Sequence, residues 1–215
     1  MKIKVCGMTE TQNTIELSKI APDFIGFNFY KGSKRYVTQF PTIDSIALSI
    51  AKVGVFVNET KEVVVATMIK FDLEIAQLHG GETKEYCEDL KKSFQQDMKT
   101  ISKKIIKVFM VGTTFDFNEC NKYEGVCDYF LFDTKGADFG GNGKKFNWQL
   151  LEAYQGNTPY LLAGGITIDD LLELKILTTN SNIKKCIGVD INSGFETKPG
   201  IKNIELIQSF KNQLA

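Results

Sequence analysis

The chain has 215 residues, and its 26 lysines and arginines balance 26 aspartates and glutamates, so no large net field draws it to nucleic acid or to an anionic membrane surface. A hydrophobic content of 43% and a charged content of 24% are ordinary for a globular protein. No run approaches the ~20 apolar residues of a membrane-spanning helix.

The first apolar run, IKVCG (3–7), follows the N-terminus with no signal-peptide h-region, and it reads as a strand. Thr9 and Thr11 are candidate caps for a helix over 12–20. FIGFNFY (24–30) is the second strand, with Phe27 and Phe29 expected in the core. Pro41-Thr42 then opens a helix over 42–51. VGVFV (53–57) precedes a helix over 60–70, and IAQLHG (75–80) precedes one over 83–96. The lysine-rich stretch Lys91–Lys104 reads as a solvated helix end and loop. IIKVFMVG (105–112) and YFLFDT (129–134) are strands, followed by helices over 116–123 and 147–154. YLLAGG (160–165) leads into a helix over 167–178, where Thr167 can cap and Asp169 and Asp170 face the helix dipole. CIGVDINSG (186–194) is the eighth strand, and a helix over 202–213 closes the chain.

Eight strands alternating with helices predict a single domain over 1–215, a (β/α)8 TIM barrel of parallel strands with an outer ring of helices. A doubly wound open sheet alternates in the same way. The strand count and the glycine-rich final junctions favour the barrel. In such a barrel the chemistry sits at the C-terminal strand ends. Ala163-Gly164-Gly165 runs into a helix N-terminus, and Asp190-Ile191-Asn192-Ser193-Gly194 ends the eighth strand. Backbone N–H groups of Gly164 and Gly165, with side-chain donors from Asn192 and Ser193, make a candidate phosphate site. Gly140–Lys145 fits neither the Walker nor the dinucleotide pattern and reads as a loop able to cover a ligand.

Cys6 and Asp133 end strands one and six, so both can point into the barrel mouth and suit acid–base work on one small molecule. Lys4 shares a face with Cys6, and its ammonium would favour the thiolate, with Asp190 as its partner. The five cysteines are scattered and the histidine is single. That pattern suits neither a disulfide scaffold nor a four-ligand zinc site. The expectation is a cytoplasmic protein without metal.

In order along the chain, VCGMT, SKRY, GVFVN, QLHG, FDT, GGNGKKFNW, AGGI and VDINSG resemble the phosphoribosylanthranilate isomerase family of tryptophan biosynthesis, from Lys4 to about Gly200. The resemblance implies an Amadori rearrangement of N-(5′-phosphoribosyl)anthranilate to 1-(2-carboxyphenylamino)-1-deoxyribulose 5-phosphate, without a cofactor. It implies Cys6 as general base, Asp133 as general acid and Arg35 against the anthranilate carboxylate. His79, Gly164, Gly165, Asp190, Asn192 and Ser193 complete the expected substrate-binding set. The partner implied is a phosphoribosyl small molecule, with no nucleic acid and no membrane. A monomer is expected, with a homodimer as the alternative. The chain departs from the family pattern at Asn192, where serine is common, and at Lys145 and Asn147, which replace the usual threonine and aspartate. Rival readings are another phosphate-binding barrel enzyme, a non-catalytic ligand-binding barrel, and the related histidine-pathway isomerisation. The last of these relies on an aspartate where Cys6 stands.

Overall fold

A computed structural model describes residues 1–42, 49–96, 99–136, 145–181 and 183–214. Eight strands close a parallel barrel in sequence order: β1 (Lys2–Cys6), β2 (Phe24–Asn28), β3 (Ala51–Phe56), β4 (Ile75–Leu78), β5 (Lys104–Val111), β6 (Tyr129–Thr134), β7 (Tyr160–Leu162) and β8 (Cys186–Ile191). The expected TIM barrel is therefore the observed one. The seam is the β1–β8 pair, where Lys4 lies opposite Asp190. Around it stand α1 (Thr11–Lys19), α2 (Lys61–Lys70), α3 (Lys84–Gln96), α4 (Leu171–Thr179) and α5 (Ile204–Leu214). A short antiparallel ribbon, β9 (Glu196–Lys198) and β10 (Ile201–Lys202), sits between β8 and α5.

Strand alternation sorts the side chains into two cores. Phe24, Val53, Ile75, Ile106, Val108, Leu131 and Leu161 point inward and plug the barrel. Ile3, Val5, Ile25, Phe27, Phe56, Leu78, Phe130, Phe132 and Leu162 point outward and pack against the helices in the larger cluster. Phe27 is fully buried there, and Phe29 stacks on Phe56 and Phe71 at centroid distances of 5.4 and 5.6 Å. Phe27 is a core residue, as expected, whereas Phe29 is partly buried and packs against the edge of that core. On the inner face the apolar plug ends one layer below the mouth, where Lys4, Cys6, Gln77, Asp133 and Asp190 replace hydrocarbon.

Several local expectations change. The segments over 117–123 and 148–153 are 3-10 helices rather than α-helices. That tighter winding covers more length per residue. Asp116 and Asn147 cap them, accepting from the N–H of Asn118 and Gln149 at 3.0 and 3.1 Å. Neither Thr9 nor Thr11 caps α1, whose N-cap is Glu10. Thr9 Oγ1 donates to the Gly200 carbonyl at 3.0 Å, and Thr11 Oγ1 accepts from Thr42 N at 3.1 Å. Both threonines tie loops together instead. The helix expected over 42–51 falls mostly outside the described residues, and its last position, Ala51, begins β3. Within Lys91–Lys104, α3 continues to Gln96 with Phe94 buried, and Thr100 is buried as well. Thr167 does open the seventh helical segment, with its N–H donating to Asp170 Oδ2 at 2.8 Å. Among the described residues, no helix is long and apolar enough to cross a membrane.

Candidate active site

The C-terminal strand ends surround a cavity of about 450 Å³. Its lining includes Cys6, Arg35, Gln77, His79, Asp133, Gly164, Gly165, Asp190, Asn192 and Ser193. Every expected site residue is thus brought to one mouth, from six different strands or the loops after them. Gly140–Gly143 and Lys144, read as a covering loop, lie outside the described residues.

Cys6 ends β1 opposite Gly26 of β2. A Cβ on Gly26 would stand 2.9 Å from Cys6 Sγ and 3.2 Å from Lys4 Nζ. Glycine there makes room for a thiol and an ammonium side by side. Lys4 has no exposed surface and donates to Asp190 Oδ2 at 2.8 Å. Burial alone would depress the Lys4 ammonium, but Asp190 and Cys6 reverse this and hold it above the usual lysine value. Burial pushes the Asp190 carboxyl up and Lys4 opposes this only in part, while the 2.8 Å contact with the ammonium ties the two groups into one buried pair.

The thiol responds differently from what its position beside Lys4 leads one to expect. Burial pushes the Cys6 thiol up, and the opposing pull of Lys4 and Lys202 does not overcome it. Iodoacetamide trapping of Cys6, read by peptide mass, is expected to keep rising beyond the ordinary thiol value of ~8.5. A plateau reached well below that pH would show that the two lysines dominate burial.

Asp133, the penultimate residue of β6, lies across the cavity. Its Oδ1 accepts the Thr134 N–H at 2.7 Å, and its Oδ2 lies 3.5 Å from His79 Nε2. Gln77, two residues before His79 and on the same inner face, places Nε2 3.4 Å from His79 Nδ1. His79 thus stands between Gln77 and Asp133. Gln77 Oε1 and Asp190 Oδ1 are buried with no hydrogen-bond partner among the described residues. Such groups cost about 1–3 kcal/mol each unless something bonds them. A ligand bearing hydroxyls can meet both.

The last two junctions meet at one side of the mouth. Gly164 and Gly165 have φ of +96° and +66°, backbone that side chains rarely adopt. A Cβ on Gly164 would run into Thr134. Ser193 opens a one-turn 3-10 segment, Ser193–Phe195. Asn192 turns its Oδ1 to Lys202 Nζ at 2.7 Å, which leaves its amide nitrogen as the donor.

Arg35, on the loop after β2, presents its guanidinium edge-on to Glu196, with Nε–Oε1 at 2.8 Å and Nη2–Oε2 at 2.6 Å. Lys202 adds a bond to Glu196 Oε1 at 2.7 Å. Glu196 and Lys202 escaped the sequence reading. Their partner Arg35 lies 161 residues from Glu196, and no local spacing announces such a pair. Among the described residues, no cluster of three His, Cys, Asp or Glu side chains could hold a metal ion.

A family model described as N-(5′-phosphoribosyl)anthranilate isomerase matches residues 3–213. The enzyme of that name from Parabacteroides distasonis is 42% identical over all of this chain and 93% of its own length. The solved phosphoribosyl anthranilate isomerase from Thermus thermophilus superposes with a TM-score of 0.81 at 25% identity, covering 100% of this chain and 98% of that one. A further solved isomerase, at TM-score 0.72 and 24% identity, covers 100% of this chain and 98% of its own, and is in complex with reduced 1-(o-carboxyphenylamino)-1-deoxyribulose 5-phosphate.

Proposed function

The chain belongs to the N-(5′-phosphoribosyl)anthranilate isomerase family, and from that premise we propose that Cys6 and Asp133 divide the proton transfers of its Amadori rearrangement. The chain is an isomerase of tryptophan biosynthesis. The observation that carries the division of roles is a thiol and a carboxyl, from β1 and β6, facing one cavity whose rim holds two glycine-rich turns.

Asp133 gives its proton to the furanose ring oxygen. The bond from C1′ to that oxygen breaks as the anilino nitrogen lone pair forms the iminium. Cys6, as the thiolate, then removes the proton from C2′. The C–H electron pair becomes the C1′–C2′ double bond and neutralises the iminium nitrogen. The resulting enolamine tautomerises to the ketone, gaining a proton at C1′ and losing one from the 2′-hydroxyl. The iminium makes the C2′ hydrogen acidic, so a thiolate is a sufficient base. Its positive charge adds to that of Lys4 and Lys202 in favouring the thiolate against the burial that pushes the thiol up.

The phosphate is held by the backbone N–H groups of Gly164 and Gly165 with Asn192 and Ser193. Asp190 Oδ1 and Gln77 Oε1 accept from ribose hydroxyls, His79 backs Asp133, and Arg35 meets the anthranilate carboxylate. The reduced product analogue bound by the solved relative supplies the test. It is expected to protect Cys6 from iodoacetamide, with inorganic phosphate protecting weakly at high concentration. Gly164→Ala is expected to weaken the analogue at least ~10-fold, since the added methyl needs strained backbone and displaces Thr134. Full alkylation of Cys6 under saturating analogue would place the ligand elsewhere.

A further inference from the structure

The Arg35 guanidinium is not free in this structure, and the way it is held points to a residue outside the set above. Glu196 accepts four hydrogen bonds. Two come from Arg35 at 2.8 and 2.6 Å, one from Lys202 Nζ at 2.7 Å and one from Gly200 N at 3.1 Å. Its side chain is only 5% exposed. Burial would raise its carboxyl, yet Arg35 and Lys202 overcome this and hold it below the usual carboxylate range.

The ribbon carrying Glu196 is itself fastened. Asn13 of α1 bonds the Lys202 backbone on both sides, donating to its carbonyl at 3.0 Å and accepting from its N–H at 2.7 Å. Thr9 holds the Gly200 carbonyl at the turn. Lys202 Nζ also reaches Asn192 Oδ1, which ties the same cluster to the end of β8.

A guanidinium offers five N–H donors on two usable edges. Glu196 occupies the Nε–Nη2 edge, so the Nη1–Nη2 edge is the one left for a ligand in the cavity that Arg35 lines. Arg35 stands on a loop between β2 and β3, where an unheld arginine would lose rotamer freedom on binding. The charge count matters as well. Two cations share one carboxylate, so the cluster keeps a net positive charge and still attracts an anion.

We propose that Glu196 is a positioning residue for substrate specificity: it aims the open edge of Arg35 at the carboxylate on the ligand's aromatic ring, with Lys202 keeping the cluster cationic. This rests on the reading that Arg35 meets that carboxylate, and the experiment separates the two claims. Two ligands are titrated by calorimetry, the reduced carboxyphenylamino product analogue and its counterpart with an unsubstituted phenyl ring. Wild type should prefer the first, and Arg35→Met should abolish the preference. Glu196→Gln should weaken the carboxylated ligand about 10-fold or more while leaving the unsubstituted one within about threefold. In turnover, KM should rise much more than kcat falls.

If Arg35→Met keeps the preference, the reading of Arg35 is wrong. If Arg35→Met abolishes it and Glu196→Gln retains it, the positioning role is wrong. Equal weakening of both ligands by Glu196→Gln would also overturn it, since that is the mark of general support of the barrel mouth. Should Glu196→Gln fail to fold, Glu196→Asp keeps the charge but loses reach. It should show the same selective loss, and unchanged selectivity would count against the proposal.

Discussion

Cys6→Ala is expected to lower kcat by about 10²–10⁴-fold, the usual contribution of a positioned general base. Binding of the reduced product analogue should stay within about threefold, because the thiol does its work on a hydrogen that the analogue does not need to lose. Cys6→Ser discriminates chemistry from packing. A hydroxyl, slightly smaller than the thiol, stands in nearly the same place on β1, but its far weaker acidity leaves almost none of it ionised near neutral pH. Serine should therefore be as slow as alanine. Recovery of most of the rate by serine would mean that Cys6 serves shape rather than proton transfer.

Lys4→Met is expected to cost about 3–5 kcal/mol of stability, because it strands the buried Asp190 carboxylate without its ammonium at the barrel seam. Denaturant unfolding measures this directly, as a fall in midpoint at unchanged slope. The pH dependence has a defined sign. The folded-state Lys4 ammonium is held above its ordinary value, so the pair's contribution is complete below ~10.4 and is lost as pH rises through the folded value. At acidic pH the gap between wild type and variant should shrink, as the stranded Asp190 takes up a proton. The double variant Lys4→Met with Asp190→Asn should recover much of the stability. A stability loss within about 0.5 kcal/mol for Lys4→Met alone would show that the pair and its burial nearly cancel. In the same variant, Cys6 trapping should move to higher pH, since one of its two neighbouring cations is gone.

The barrel was legible because strand alternation and loop glycines are local signals. Eight apolar runs of five to nine residues, each followed by a helical pattern, leave few other closures. Cys6 and Asp133 were legible for the same reason, as reactive residues at the ends of hydrophobic runs. The weak points were those where tertiary contacts override local preference. Thr9 and Thr11 look like caps, yet the ribbon turn and the segment at Thr42 recruit their hydroxyls. The two 3-10 segments carry helical composition, yet they wind more tightly than the α-helices that composition suggests.

Long-range charge pairing was the least legible part. Lys4 sits in a strand pattern that alone allows it to face outward between helices, and only the β1–β8 register puts Asp190 against it. Glu196 follows the eighth strand in a segment that reads as a loop, Lys202 reads as the start of the closing helix, and their meaning appears only once Arg35 arrives from the other end of the chain. The balance at Cys6 was equally hidden. Proximity to Lys4 suggested a thiolate, whereas burial at the cavity wall pushes the thiol the other way.

The division of acid and base roles is tested most directly by turnover of freshly generated N-(5′-phosphoribosyl)anthranilate, followed by loss of its fluorescence, with wild type beside Asp133→Asn. The amide keeps the size and the Thr134 contact of Asp133 but cannot deliver a proton to the ring oxygen. A fall in kcat of about 10²–10⁴-fold, with the ring-opened reduced analogue bound as tightly as by wild type, is the predicted result. Turnover by Asp133→Asn within about threefold of wild type would contradict the assignment of Asp133 as the acid.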